Sequence, residues 1–227
     1  SGNMQITKHL EMALGFVYHL RSAVNRHEME QLGKPSEYRS FAPMVTLTFR
    51  PHPEGPTFTA NYERGLTNIL QSNIKYERWE FDASFKKVLH SLRKYNLRAG
   101  GGFYTNKSTD YFVDFANFHD NYIPGDWTGD FQLLNSQWYN ASKYYFRTNV
   151  SYESPLLLVT WIPLIGKYIE TERIYANFLQ IEHTRPYTEI GYGLTNRYFS
   201  IGLFASFLNG SFNEFGSKFS FELFRRW

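Results

Sequence analysis

Glu214-Phe215-Gly216-Ser217-Lys218-Phe219-Ser220-Phe221-Glu222-Leu223-Phe224-Arg225-Arg226-Trp227 closes the sequence. Phe215, Ser217, Phe219, Phe221 and Leu223 hold the odd positions, while Gly216, Lys218, Ser220 and Glu222 hold the even ones until Phe224 interrupts the order. Successive side chains of an extended strand point to opposite faces. The stretch therefore reads as one strand with an apolar wall and a polar wall, finishing on an aromatic residue. A sequence that stops on such a strand leaves little room for a soluble tail.

The same two-residue period recurs upstream. Leu10, Met12, Leu14, Phe16, Tyr18 and Leu20 alternate with His9, Glu11, Ala13, Gly15, Val17 and His19. Tyr144, Phe146, Thr148, Val150 and Tyr152 alternate with Lys143, Tyr145, Arg147, Asn149, Ser151 and Glu153. Similar segments cover 41–50, 57–63, 78–85, 94–103, 189–194 and 199–207, with less regular ones at 111–118 and 170–182. Repeated alternation of this kind predicts a sheet with one wet face. Eleven strands are counted. Single-chain bacterial membrane barrels carry an even number, so a further strand is expected at Phe131–Trp138, or one strand has been wrongly divided, or upstream strands are absent.

Composition separates two readings of that sheet. The chain has 227 residues, 42% of them apolar and 19% aromatic, with 21 Phe, 17 Tyr and 5 Trp. No run approaches the roughly 18 apolar residues of a membrane-spanning helix. The mildly negative mean hydropathy is compatible with a transmembrane antiparallel β-barrel, whose walls interleave every lipid-facing residue with a polar one. The aromatic apolar faces and strands longer than the soluble mode of about 5–6 residues favour that all-β barrel, with about 10–12 strands in this chain. A soluble all-β fold such as a lipocalin-like barrel is the alternative. The whole of 1–227 is read as one barrel domain. Ser1-Gly2-Asn3 resembles no export signal, and the chain is expected to be the C-terminal part of a longer protein, with Ser1-Gly2 an added remnant. Net charge is +3 with both signs interspersed, which gives no argument for nucleic acid. The absence of cysteine excludes disulfides and thiolate metal sites.

Two features carry functional expectations. Glu214-x-Gly216-x-x-Phe219-x-Phe221 fits the β-signal of outer-membrane proteins, in which lipid-facing aromatics dock on the barrel assembly machinery and the glycine leaves room for a neighbour. Ser154–Tyr168 is too apolar for a solvated loop. Its Leu156, Leu157, Leu158, Trp161, Ile162 and Pro163 suit an interfacial or plugging element with Trp161 at headgroup depth. The polar faces carry His9, Glu11, His19, Arg50, Arg78, Glu80, Asp82, Lys143, Arg147, Glu153, Lys218 and Glu222. Glu80 and Asp82 share a face as acid–base chemistry would want, and His9 and Glu11 could share a metal, but any polar strand face gives these spacings. No catalytic, cofactor or metal residue is therefore assigned, and no nucleophile motif, phosphate loop or zinc spacing occurs.

Tyr62-Glu63-Arg64-Gly65, Tyr139–Phe146, Ser154–Leu158 with Ile162–Ile165, His183–Gly193 and the terminal Phe221–Trp227 together resemble a family. It is a Bacteroidota outer-membrane β-barrel family of unknown function, whose members carry a carboxypeptidase-regulatory-like domain ahead of the barrel. The family is distantly similar to BamA/TamA-type assembly barrels. The resemblance implies a bacterial outer-membrane location, a lipid bilayer as surroundings, and no catalytic residues. The expected function is a scaffold, pore or assembly component in outer-membrane biogenesis or transport. A structural anchor for a periplasmic or surface partner is the alternative, and a barrel enzyme at the membrane surface a more distant one.

Overall fold

The computed structural model describes residues 2–22, 26–31, 33, 36–107, 127–134, 143–155, 157–162, 166–182 and 184–221. The β-branched and aromatic residues that alternate with polar ones form eleven strands. They are β1 (Gly2–Thr7), β2 (Leu10–Ser22), β3 (Glu37–Phe49), β4 (Thr57–Gly65), β5 (Tyr76–Val88), β6 (Lys94–Lys107), β7 (Tyr144–Ser154), β8 (Thr171–Ile181), β9 (Tyr187–Thr195), β10 (Phe199–Leu208) and β11 (Ser211–Phe221). Each strand pairs antiparallel with the next in one sheet ordered β1 to β11. A single six-residue helix, α1 (Arg26–Gln31), and short 3-10 turns are the only helical pieces among the described residues. None of them is long and apolar enough to cross a membrane.

The strand at Gly2–Thr7 is absent from the sequence reading, although Met4 and Ile6 alternate there with Asn3 and Gln5. Segment 111–118 lies outside the described residues. The further strand expected at Phe131–Trp138 is corrected in its described part: residues 127–134 form turns and bends, not a strand. Among the described residues β1 pairs only with β2, and β11 only with β10. Because alternate strands reverse, β1 and β11 run in the same direction.

The chain leaves β2, β4, β6, β8 and β10 at one end of the strands, here called the long-loop rim. Turns 8–9, 50–56, 89–93, 155–170 and 196–198 gather at the other, the short-turn rim. At the short-turn rim the Arg50 N–H donates to the His9 carbonyl (2.8 Å) and the Glu170 N–H to the Thr195 carbonyl (2.9 Å), tying neighbouring turns together.

The two faces are inverted relative to a water-soluble sheet. One face exposes Phe16 (69%), Phe81, Phe146, Ile190, Leu203 and Phe215 (60%). The other buries Glu63, Arg78, Glu80, Arg147 (0% exposed), Asn177 and Glu189 (0%). Phe146 and Phe219 are therefore on the solvent-accessible side while Arg147 is enclosed. Charged residues on the apolar face sit near strand ends: Glu37, Arg39, Arg64, Glu77, Lys87 and Glu172. Between them the face is mostly Phe, Leu, Ile, Val, Ala, Met, Trp, Tyr and Thr.

Candidate functional site

The charged residues of the buried polar face form short rows that cross adjacent strands. Cross-strand neighbours lie about 4.5–5.5 Å apart, so charges placed in register meet. Glu63 on β4 faces Arg78 on β5 in the pairing register, and the two form an ion pair that Tyr76 joins through its hydroxyl. Arg78 also approaches Glu80 (3.7 Å), which accepts the Tyr145 hydroxyl of β7 (3.2 Å). One row further, Asp82 receives Arg98 of β6 (2.8 Å) and Arg147 of β7 (3.2 Å). Arg147 reaches across β6 because Gly100 lies between: a Cβ there would come within 2.6 Å of the Asp82 carboxylate. At the short-turn rim Glu153 is shared by Lys94 and Arg173.

This geometry gives the paired carboxylates Glu80 and Asp82 a partner role. Each faces arginine, so each belongs to a network of alternating charges, and a buried charge persists only if paired. Glu11 and His9 do not come together on a cation. The His9 ring lies 3.0 Å from the Arg50 carbonyl, and no group of three His, Asp or Glu residues positioned for a metal occurs among the described residues.

Residues 127–134 form a strap that lies on this inner face across β8 to β11. Glu189 accepts the backbone N–H groups of Gln132 (2.9 Å) and Leu133 (2.8 Å), the Tyr187 hydroxyl (2.9 Å) and the Asn177 amide (3.1 Å). Asn177 also donates to the Asp130 carbonyl (3.1 Å), and Lys218 of β11 donates to the Gln132 side chain (2.9 Å). Apolar strap residues fill hollows. Trp127 packs edge-on against Phe204 (5.8 Å between ring centres), and Phe131 against Tyr187 (5.8 Å). Gly191, Gly202 and Gly216 make the hollows, since a Cβ at each would meet Phe204, Phe204 with Trp127, and Leu133 respectively at 2.4–2.6 Å.

The assembly-signal residues occupy β11. Phe219 and Phe221 point to the apolar face, and Phe219 stacks on Phe199 of β10 (5.9 Å). Glu214 and Gly216 point inward, pairing with Ser206 and Phe204. Residues 222–227 lie outside the described residues. Of the interfacial segment, Leu156 and Pro163 also lie outside them. Leu158, Trp161 (75% exposed) and Ile162 stand out from the surface at the short-turn rim, on 3-10 turns at Val159–Trp161 and Gly166–Tyr168. Glu172 holds this segment to the wall. Its carboxylate accepts the N–H groups of Leu157 (3.3 Å), Leu158 (2.8 Å) and Val159 (3.1 Å), and the Tyr192 hydroxyl.

Glu172 and Glu189 are the site residues that the sequence reading does not single out. Each is fully buried, and each binds consecutive backbone N–H groups of a connection folded onto the sheet, one on the apolar face and one on the polar face. The available signal was Glu189 standing beside Gly191 and Gly193: glycines on a polar strand face mark space that something else fills.

An inverted antiparallel sheet with a strapped, ion-paired polar face defines the class of this molecule. The chain belongs to the family described as "Family of unknown function (DUF5686) C-terminal domain", which matches residues 50–194, more than half of its length. No curated protein matches the chain. The match runs from the turn before β4 into β9 and so contains the ion-pair rows, the strap, Glu172 and Glu189. The assembly-signal strand β11 lies beyond it.

Proposed function

We propose that this chain forms the wall of a bacterial outer-membrane β-barrel with a filled polar interior, and that it serves outer-membrane biogenesis as a scaffold, not as an open pore. The observation that carries the reading is the inversion of the two faces. A soluble monomer rarely exposes a contiguous apolar patch above about 300–600 Å², whereas here adjacent strands from β2 to β11 each present bare Phe, Leu or Ile. The dimensions agree: the 11 residues of β7, at about 3.3 Å each and a barrel tilt near 40°, cover about 25 Å, the height of the apolar band in such barrels. Aromatics gather at both ends of that band, with Tyr62 and Trp79 in contact near the long-loop rim (4.4 Å) and Tyr95 and Tyr152 near the other (4.6 Å). Closure is part of the proposal, because unpaired strand edges in lipid would leave backbone groups without partners.

The filled interior favours a scaffold. The rows around Arg78 and Arg147 and the strap cover the polar face along β4 to β11. The sequence resemblance to Bacteroidota outer-membrane barrels, and more distantly to BamA/TamA-type assembly barrels, supports the biogenesis role. Single-tryptophan variants reconstituted in vesicles containing brominated lipid test the arrangement. Trp79 and Trp161 are expected to be quenched strongly and Trp127 weakly, in protein that also migrates differently when heated in detergent. Strong quenching of Trp127 with Trp79 unaffected would sink the proposal.

A further inference from the structure

The two rims differ in how their charges are arranged. At the long-loop rim four described cations stand beside carboxylates, Arg26 and Arg39 with Glu37 (both 3.5 Å), Arg64 with Glu77 (3.4 Å) and Lys143 with Glu182 (3.9 Å), while Arg185 is exposed there outside these pairs. At the short-turn rim Lys8, Arg50, Lys87, Arg93, Lys167 and Arg197 are all exposed, against Glu54 and Glu170 as exposed acids. Among the described residues no carboxylate forms an ion pair with Lys8, Arg50, Lys87, Arg93 or Lys167. Lys8, Arg50, Lys87, Arg93 and Lys167 lie on or beside the turns 8–9, 50–56, 89–93 and 155–170, so these exposed cations follow the rim and are not one local cluster.

Aromatic side chains are interleaved with them. Lys167 lies over the Tyr168 ring (4.9 Å) and Arg197 over the Tyr198 ring (5.9 Å). Lys87 pairs in register with Tyr95, which packs on Tyr152. Trp161, Tyr168 and Tyr198 are among the most exposed aromatics of the molecule. An aromatic body at the edge of an apolar band with a cation just beyond it matches a headgroup layer, where rings sit at the boundary and ammonium or guanidinium groups reach the phosphates.

We propose that the short-turn rim is a docking collar for anionic phospholipid headgroups, which its cations recognise through their phosphates. The inference rests on the membrane reading above and names the lipid class and the rim that selects it. Glu172 contributes by holding the 157–162 segment, with Trp161, against the wall at the rim that carries Lys87, Lys167 and Arg197. Anionic surfaces attract such cations additively and over about a Debye length, so the preference falls as salt rises.

The detergent-purified chain, mixed with vesicles of phosphatidylcholine alone or with added phosphatidylglycerol, tests this by flotation and heat-modifiable migration. The expected result is at least about tenfold higher incorporation with phosphatidylglycerol at low salt, lost at high salt. The combined substitutions Lys87→Glu, Arg93→Glu, Lys167→Glu and Arg197→Glu should abolish that preference and leave incorporation into phosphatidylcholine unchanged. Arg26→Glu with Lys143→Glu at the other rim should keep it. Equal incorporation into both vesicles, or a preference that survives the four substitutions, overturns the collar while leaving the membrane wall standing. Binding of polyglutamate by protein in phosphatidylcholine vesicles, without any lipid preference, would reassign the rim to an acidic polypeptide. Failure to enter either vesicle would overturn the membrane reading and the collar with it.

Discussion

Glu189 shows how much a single carboxylate can organise. It is enclosed on β9 and satisfied by four donors from the strap, from β8 and from its own strand. Hydrogen bonds to a charged group are worth about 1.5–3 kcal/mol each, and buried donors left unmade cost a further about 1–3 kcal/mol. Glu189→Ala is therefore expected to release residues 127–134 from the inner face, with a stability loss of about 3–5 kcal/mol. Glu189→Gln should keep part of the binding. Limited proteolysis between 127 and 134 and the emission of Trp127 would report release. If both variants keep the wild-type cleavage pattern, the carboxylate is not what holds the strap.

At the scale of elements, alternation made most strands legible from β2 to β11, because the period of two is a direct consequence of the pleat and survives any detail of packing. Three things were not legible, each for a physical reason. β1 is short, and six residues of alternation do not stand out. Phe131 and Leu133 lie two apart like strand residues, yet Phe131 packs among Tyr145, Leu179, Ile181 and Tyr187 and Leu133 enters the hollow at Gly216. A one-dimensional pattern does not show that a partner strand is missing and a cavity present. Glu172 sits at a position whose side chain faces the apolar side, where a charge looks misplaced until the three N–H groups of 157–159 are seen around it. Its replacement carries a prediction at this scale: Glu172→Ala should free the 157–162 turn from the wall. Trp161 in a single-tryptophan background should then lose its fixed depth, with parallax quenching broadening while heat-modifiable migration persists. A sharp, unchanged depth would show that the segment holds its position without Glu172.

For the whole molecule, the proposed barrel makes the strap and the ion-pair rows the groups that would decide whether water crosses. In planar bilayers the wild-type protein is expected to conduct poorly. Replacing 127–134 by a Gly-Ser linker of equal length should raise single-channel conductance several-fold, since the hollows it fills lie beneath β8 to β11. High conductance in the wild-type protein would return the scaffold reading to a pore. The shared direction of β1 and β11 has a consequence of its own. Joining these two edges directly would create a lone parallel ladder, with slanted, evenly spaced bonds, in a wall otherwise built of antiparallel ones. Keeping the whole circumference antiparallel instead takes an odd number of intervening strands, whichever polypeptide supplies them. Disulfide trapping between cysteines placed on β1 and β11 distinguishes a zipped seam from a spliced one.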